Sequence, residues 1–258
     1  MDNDVGVSLA VPDNYDDFTT QLDALKRANV SVLELYLSHI STLRSFVNIF
    51  ISKGISSYLD SFSYTALYFG MSDMNNKIYT YDATKSKYLI SNNFHELISR
   101  LANNFNVLNL STLAFPSYIV ESKHLFVSNM PIAVENSYND GSKISQLLDM
   151  SNLDERIKFV VDIASALSNG TRHLSSLINV FKTRVSYITL DYNKGGLNSS
   201  TASSTTIKTL SYCRRFNDVP QIKELDCPII CRSRLDRVED IKQFSYELSS
   251  IRNYFSSK

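Results

Sequence analysis

Residues 31–53 hold the pattern that most limits how this chain can fold: Leu33, Tyr36, Leu37, Ile40, Leu43, Val47, Phe50 and Ile51 recur with a period near that of an α-helix. The spacing predicts a helix from Ser31 to Lys53 with one broad apolar stripe, which must be covered by a core or by a partner. Glu34, His39 and Arg44 interrupt the stretch and would be costly at bilayer depth, which argues against a membrane span. Gly54 supplies a stop. Upstream, Asp13 or Asn14 can cap a helix with Asp16 and Asp17 in its first turn, Phe18, Leu22 and Leu25 on one face, and Lys26-Arg27 at its end. Residues 1–62 thus read as an N-terminal helical pair.

The character changes at Tyr64. The aromatic and β-branched runs Tyr64–Met71 and Lys77–Asp82 read as a β-hairpin, with Tyr88–Ile90 as a third strand and a helix capped by Asn93 running toward Phe105. Short strands are expected at Ser117–Val120, Leu125–Val127 and Ile132–Val134, punctuated by Pro116 and Pro131. Ser151 or Asn152 then opens a predicted helix carrying Ile157, Val160, Val161, Ala164 and Leu167, followed by a helix over Thr171–Thr183, a strand over Val185–Asp191 and a final helix from Leu235 to Phe255. The polar, small-residue stretch 193–206 reads as a mobile loop. The fold class expected from these readings is helix-rich α+β in one compact domain, 1–258. It comprises a helical segment (1–62), a β-hairpin and short-strand segment (63–140), and a segment of long C-terminal helices (141–258).

Several chemistries lack their residues. Glycine is scarce at 7 of 258, and no Walker loop, GxGxxG, GxSxG or HExxH occurs. Cys213, Cys227 and Cys231 are odd in number and spaced C-x13-C-x3-C, unlike paired zinc knuckles, so no disulfide framework, metal site or cofactor is expected. His39, His95, His124 and His173 sit in no recognisable catalytic context, and the carboxylate pairs Asp16-Asp17 and Asp154-Glu155 are explained by helix N-termini. No catalytic residue and no enzymatic activity is therefore expected.

Charge is balanced overall but not along the chain: residues 1–170 carry 12 Lys/Arg against 18 Asp/Glu, and residues 171–258 carry 14 against 8. Oppositely charged halves and apolar stripes suggest a non-enzymatic structural or assembly protein that packs against itself or another subunit, in keeping with a viral origin. A second reading is a nucleoprotein-like RNA binder. Lys208, Arg214, Arg215, Arg232, Arg234 and Arg237 would follow phosphates, while Tyr212 and Phe216 offer stacking faces. A third is an enzyme whose site is scattered through the sequence. The acidic N-terminus lacks a secretory signal, so an intracellular location, with virion association as a variant, is expected.

Overall fold

The computed structural model describes residues 4–70, 79–82, 84, 87–116, 130–136, 157–168, 170–191, 220–232, 241, 248–249 and 251–253. Its centre is a closed, all-parallel barrel. The strands are β1 (Val5–Ala10), β2 (Val32–Leu37), β3 (Tyr64–Phe69), β6 (Thr112–Pro116), β7 (Ile132–Glu135), β8 (Ile157–Asp162), β9 (Val185–Asp191) and β10 (Ile229–Arg232), joined in that order with β10 closing on β1. Between β3 and β6, β4 (Tyr79–Asp82) and β5 (Lys87–Ile90) form a separate antiparallel pair. The architecture is that of a TIM-type barrel.

Parallel neighbours need crossovers, and among the described residues helices supply those from β1 to β2, β2 to β3, β3 to β6 and β8 to β9. α1 (Tyr15–Arg27) links β1 to β2; the Asn14 side chain accepts from Asp16 N, and Phe18, Leu22 and Leu25 are buried. From β2 to β3 the chain runs through α2 (Ile40–Ser45), a π-helical turn (Phe46–Phe50) and α3 (Ser56–Leu59). α4 (Asn92–Asn103) precedes β6 and is capped by Ser91, whose Oγ accepts from Phe94 N. α5 (Ile163–Ser168) and α6 (Thr171–Phe181) connect β8 to β9.

The barrel strands bury both faces. Outward residues such as Leu9, Leu35, Phe69, Phe115, Val134, Val161, Ile188 and Ile229 join the helices in one large apolar core. Phe69 stacks on Phe115 at 4.5 Å and meets Phe94 of α4 edge-on at 6.1 Å. Inward, Val32, Ala66, Tyr68, Ala114, Ala133, Val160, Tyr187 and Ile230 form a second cluster inside the barrel. Gly6 lets β1 approach β2 closely: a Cβ there would stand 2.1 Å from the Val32 carbonyl oxygen.

The barrel corrects the expected helix-rich α+β class. Val32–Leu37 is a strand and not the first turns of a long helix, because Leu33, Leu35 and Leu37 face the outer core while Val32, Glu34 and Tyr36 line the inner wall. Ile157–Asp162 is likewise β8 and not helix. In both segments the apolar residues of a doubly buried strand happen to include a set at helical spacing. Tyr64–Phe69 is a strand, but it pairs in parallel with β2 and β6, and Tyr79–Asp82, the described part of its expected hairpin partner, pairs with Lys87–Ile90 instead. Where described, the C-terminal segment is helical at 241, 248–249 and 251–253, with Ile241, Leu248 and Ile251 packed into the outer core. The stretches Ser117–Val120, Leu125–Val127 and 193–206 lie outside the described residues. Among the described residues no helix is long and apolar enough to cross a membrane.

Candidate active site in the barrel mouth

Short apolar runs end in charge: Ile132-Ala-Val-Glu135, Lys158-Phe-Val-Val-Asp162 and Ile229-Ile-Cys-Arg232. Because the barrel is parallel, these ends gather at one rim, which is where enzymes on this architecture place their chemistry. The period of two within each strand turns Glu34, Glu135 and Arg232 inward with the inner cluster.

Arg232 is the hub. Its Nε donates to Glu34 Oε1 at 2.7 Å and its Nη2 to Glu34 Oε2 at 2.8 Å, a forked pairing across the barrel; Nη1 donates to Glu135 Oε1. Two tyrosines complete the carboxylates. Tyr187 donates its hydroxyl to Glu34 Oε2 at 2.7 Å, and Tyr68 donates to Glu135 Oε2. The side chains are nearly sealed, with 8% of Arg232, 0% of Glu34 and 3% of Glu135 exposed. The guanidinium also lies over the Tyr68 ring, 4.0 Å from its centroid.

Burial works against the charge on Arg232, but Glu135 and Glu34 outweigh it and hold the guanidinium well above its ordinary pKa. Desolvation, reinforced by the nearby carboxylates, pushes the Tyr68 and Tyr187 phenols well above theirs. Both phenols therefore stay protonated as donors across the physiological range. Tyr64, whose hydroxyl lies 2.9 Å from Ser186 Oγ, is raised mainly by burial.

Toward the rim, Tyr36 stacks on Tyr68 with ring centroids 5.5 Å apart. Its hydroxyl donates to the Gly70 carbonyl at 3.3 Å, and its ring occupies the space a Cβ at Gly70 would need, 2.2 Å away. On the opposite strands, Asn136 bridges to β8: it donates from Nδ2 to the Asp162 carbonyl at 3.1 Å and accepts from Asp162 N at 2.7 Å. The Asp162 carboxylate accepts from Ser165 N at 3.0 Å and Ser165 Oγ at 2.7 Å, so it fixes the start of α5.

Of the residues singled out in the sequence for nucleic-acid contact, Arg232 is the described one, and it is engaged by two buried carboxylates. Lys208, Tyr212, Arg214, Arg215, Phe216, Arg234 and Arg237 lie outside the described residues. Glu34, Glu135, Tyr68 and Tyr187 were not among the expected site residues; the signal for the two glutamates was a lone charge within or ending a short apolar run, and the tyrosines gave none. Cys227 and Cys231 are buried and form no disulfide, and burial pushes Cys227 up to about 12. No group of three or more His, Cys, Asp or Glu side chains suited to a metal ion occurs among the described residues.

No family model and no curated protein sequence matches the chain. Solved structures do. Endonuclease IV from Thermus thermophilus superposes with a TM-score of 0.58 at 14% identity, covering 98% of this chain and 99% of that one. A protein from Sinorhizobium meliloti 1021 gives 0.57 at 11% identity over 96% and 98%. The dihydropteroate synthase of Yersinia pestis gives 0.52 at 11% identity over 97% and 93%. At such identities the likeness establishes the barrel fold.

These findings correct the expectation of a non-enzymatic structural, assembly or viral protein. The apolar stripes on which it rested are spent inside the molecule: Leu33, Leu37, Leu43, Val47 and Phe50 are all buried in the outer core. The fold that remains is one used by an endonuclease and a synthase, and its interior carries buried charge beside its apolar cluster.

Proposed function

We propose that the chain is an enzyme acting on a small polar substrate at the carboxyl-terminal mouth of its barrel, with Glu135 as the proton-handling group. The supporting observation is the sealed Arg232–Glu34–Glu135 network. Barrels of this type fill their interiors with branched aliphatic side chains, and burying ions costs several kcal/mol each before pairing repays it. Buried charge there, with Glu135 and Arg232 at the ends of their strands, is the usual mark of chemistry.

Within this reading the roles divide by depth. Glu34, bound by both forks of Arg232 and by Tyr187, anchors the guanidinium. Arg232 in turn fixes the Glu135 carboxylate, and Tyr68 joins that carboxylate to the mouth. When a substrate group gives a proton to the Tyr68 oxygen, the phenol's own proton passes to Glu135, so the tyrosine is unchanged and the carboxylate becomes the acid. The reverse transfer returns it.

The test is substrate consumption by mass spectrometry, with purified protein in the small-molecule fraction of a cell extract. The wild type is expected to deplete at least one component, and Glu135→Gln, folded equally well by circular dichroism, to do so on the order of 100-fold more slowly. Depletion of nothing, or equal depletion by the variant, would overturn the reading.

A further inference from the structure

Glu135 stands at a weaker point of the barrel wall than Glu34. Glu34 lies inside β2, opposite Ser8 of β1 and Ala66 of β3, with paired residues before and after it on both sides. Glu135 is the last paired residue of β7, opposite Pro116 of β6 and Val160 of β8. A strand end frays unless something ties it down. Here the tie is Asn136. Its own N–H still reaches the Val160 carbonyl at 3.4 Å, but the next rung is made by its side chain, whose Oδ1 accepts from Asp162 N at 2.7 Å while Nδ2 donates to the Asp162 carbonyl at 3.1 Å. An amide side chain thus stands in for a main-chain peptide and meets both backbone groups of one residue. The joint is buried, with Asn136 6% and Asp162 0% exposed, and the Asp162 carboxylate in turn holds Ser165 in α5.

We propose that Asn136 is a positioning residue of the site: by clamping the end of β7 to β8 it sets where the Glu135 carboxylate stands between Arg232 and Tyr68. The catalytic weight of this assignment rests on the function proposed above, whereas the geometry stands apart from it. The two Glu135 oxygens accept from residues on different strands, Arg232 of β10 and Tyr68 of β3. Hydrogen bonds weaken steeply with misalignment, so a shift of the strand end by about 1 Å would loosen at least one of them. Among the described residues the Asn136 side chain bonds to Asp162 alone, so it acts on Glu135 through the backbone. An apolar side chain in its place would leave two buried backbone groups of Asp162 without these partners. Glu34 needs no such clamp, because backbone rungs flank it. Tyr187, the phenol bound to Glu34, is therefore an internal control for Tyr68, the phenol bound to Glu135.

The experiment is NMR of protein isotope-labelled at the tyrosine ζ carbon, which reports the hydrogen bond of each phenol, with the two resonances assigned by Tyr68→Phe and Tyr187→Phe. It compares the wild type with Asn136→Ala, Asn136→Ser and Leu22→Ala, the last a variant that weakens the outer core from α1. In Asn136→Ala the Tyr68 resonance is expected to move and the Tyr187 resonance to move far less. Asn136→Ser, neutral and still polar, should move Tyr68 by a smaller amount, and Leu22→Ala should move neither. In the consumption assay, turnover per folded molecule should fall roughly 10- to 100-fold in Asn136→Ala and hold in Leu22→Ala. An unmoved Tyr68 resonance in Asn136→Ala, equal movement of Tyr68 and Tyr187, a Tyr68 shift as large in Leu22→Ala, or turnover kept at the wild-type level would each overturn the inference. Should Asn136→Ala fail to fold, Asn136→Ser is read by the same criteria. If Tyr68 stays in place while Glu135→Gln still abolishes turnover, this inference alone fails. If Tyr68 moves as expected but the wild type consumes nothing, the enzymatic reading alone fails.

Discussion

The two faces of the barrel wall are buried alike but differ in make-up: the outer one is apolar throughout its helix contacts, and the inner one mixes apolar residues with buried charge. Outside, Leu9, Leu35, Phe69, Phe115, Val134 and Ile188 meet the helices in a continuous apolar layer. Inside, the same sheet presents Ser8, Glu34, Tyr68, Glu135, Asp162, Thr189 and the largely sealed Arg232. The outer face is stabilised by area removed from water, tolerant of any side chain of suitable size. The inner face adds to its own apolar cluster a set of carboxylates and phenols that each need their complement, so it is specific where the outer face is general. Under the proposed function, that difference places folding on one face and chemistry on the other.

Substitutions that touch one face at a time sharpen the contrast. The largest loss is expected from Arg232→Ala, which strands two buried carboxylates and should cost about 3–5 kcal/mol in denaturant unfolding. A cost below about 1 kcal/mol would mean the carboxylates reach solvent, and the inner face would not be the sealed layer described. Leu35→Ala on the outer face should cost about 2–5 kcal/mol while leaving turnover per folded molecule unchanged. Tyr187→Phe removes one hydrogen bond to a charged acceptor and should cost about 1.5–3 kcal/mol.

The smallest effect is one of pH. Tyr68 and Tyr187 have pKa values raised in the folded state above the ordinary 10.0, chiefly by burial, so the unfolded chain releases their protons first. Their contribution is thus fully present below pH 10 and lost as pH rises beyond it. Tyrosinate absorbance should show these phenols ionising only as the protein unfolds in alkali. Their titration with the exposed tyrosines, in a still folded protein, would contradict the burial.

What the sequence disclosed follows the same division. α1 is legible down to its cap, because Asn14, Asp16, Asp17 and the Phe18-Leu22-Leu25 face are local signals, and α6 and β9 are legible for the same reason. β2 and β8 are not, since a strand apolar on one wall and mixed on the other imitates helical spacing over six residues. The barrel itself depends on pairings such as Val5 with Ile229, far apart in the chain, for which no local pattern exists. Arg232 is visible as a cation but not as the partner of Glu34, 198 residues away. Only closure of the barrel brings them together.

The most direct measurement is the ratio of turnover to stability for Glu135→Gln set beside Leu35→Ala in the same consumption assay. The account requires turnover to collapse in Glu135→Gln at a melting temperature near or above that of Leu35→Ala, and to persist in Leu35→Ala. Turnover that tracks melting temperature in both variants, with no separate penalty at Glu135, would contradict it.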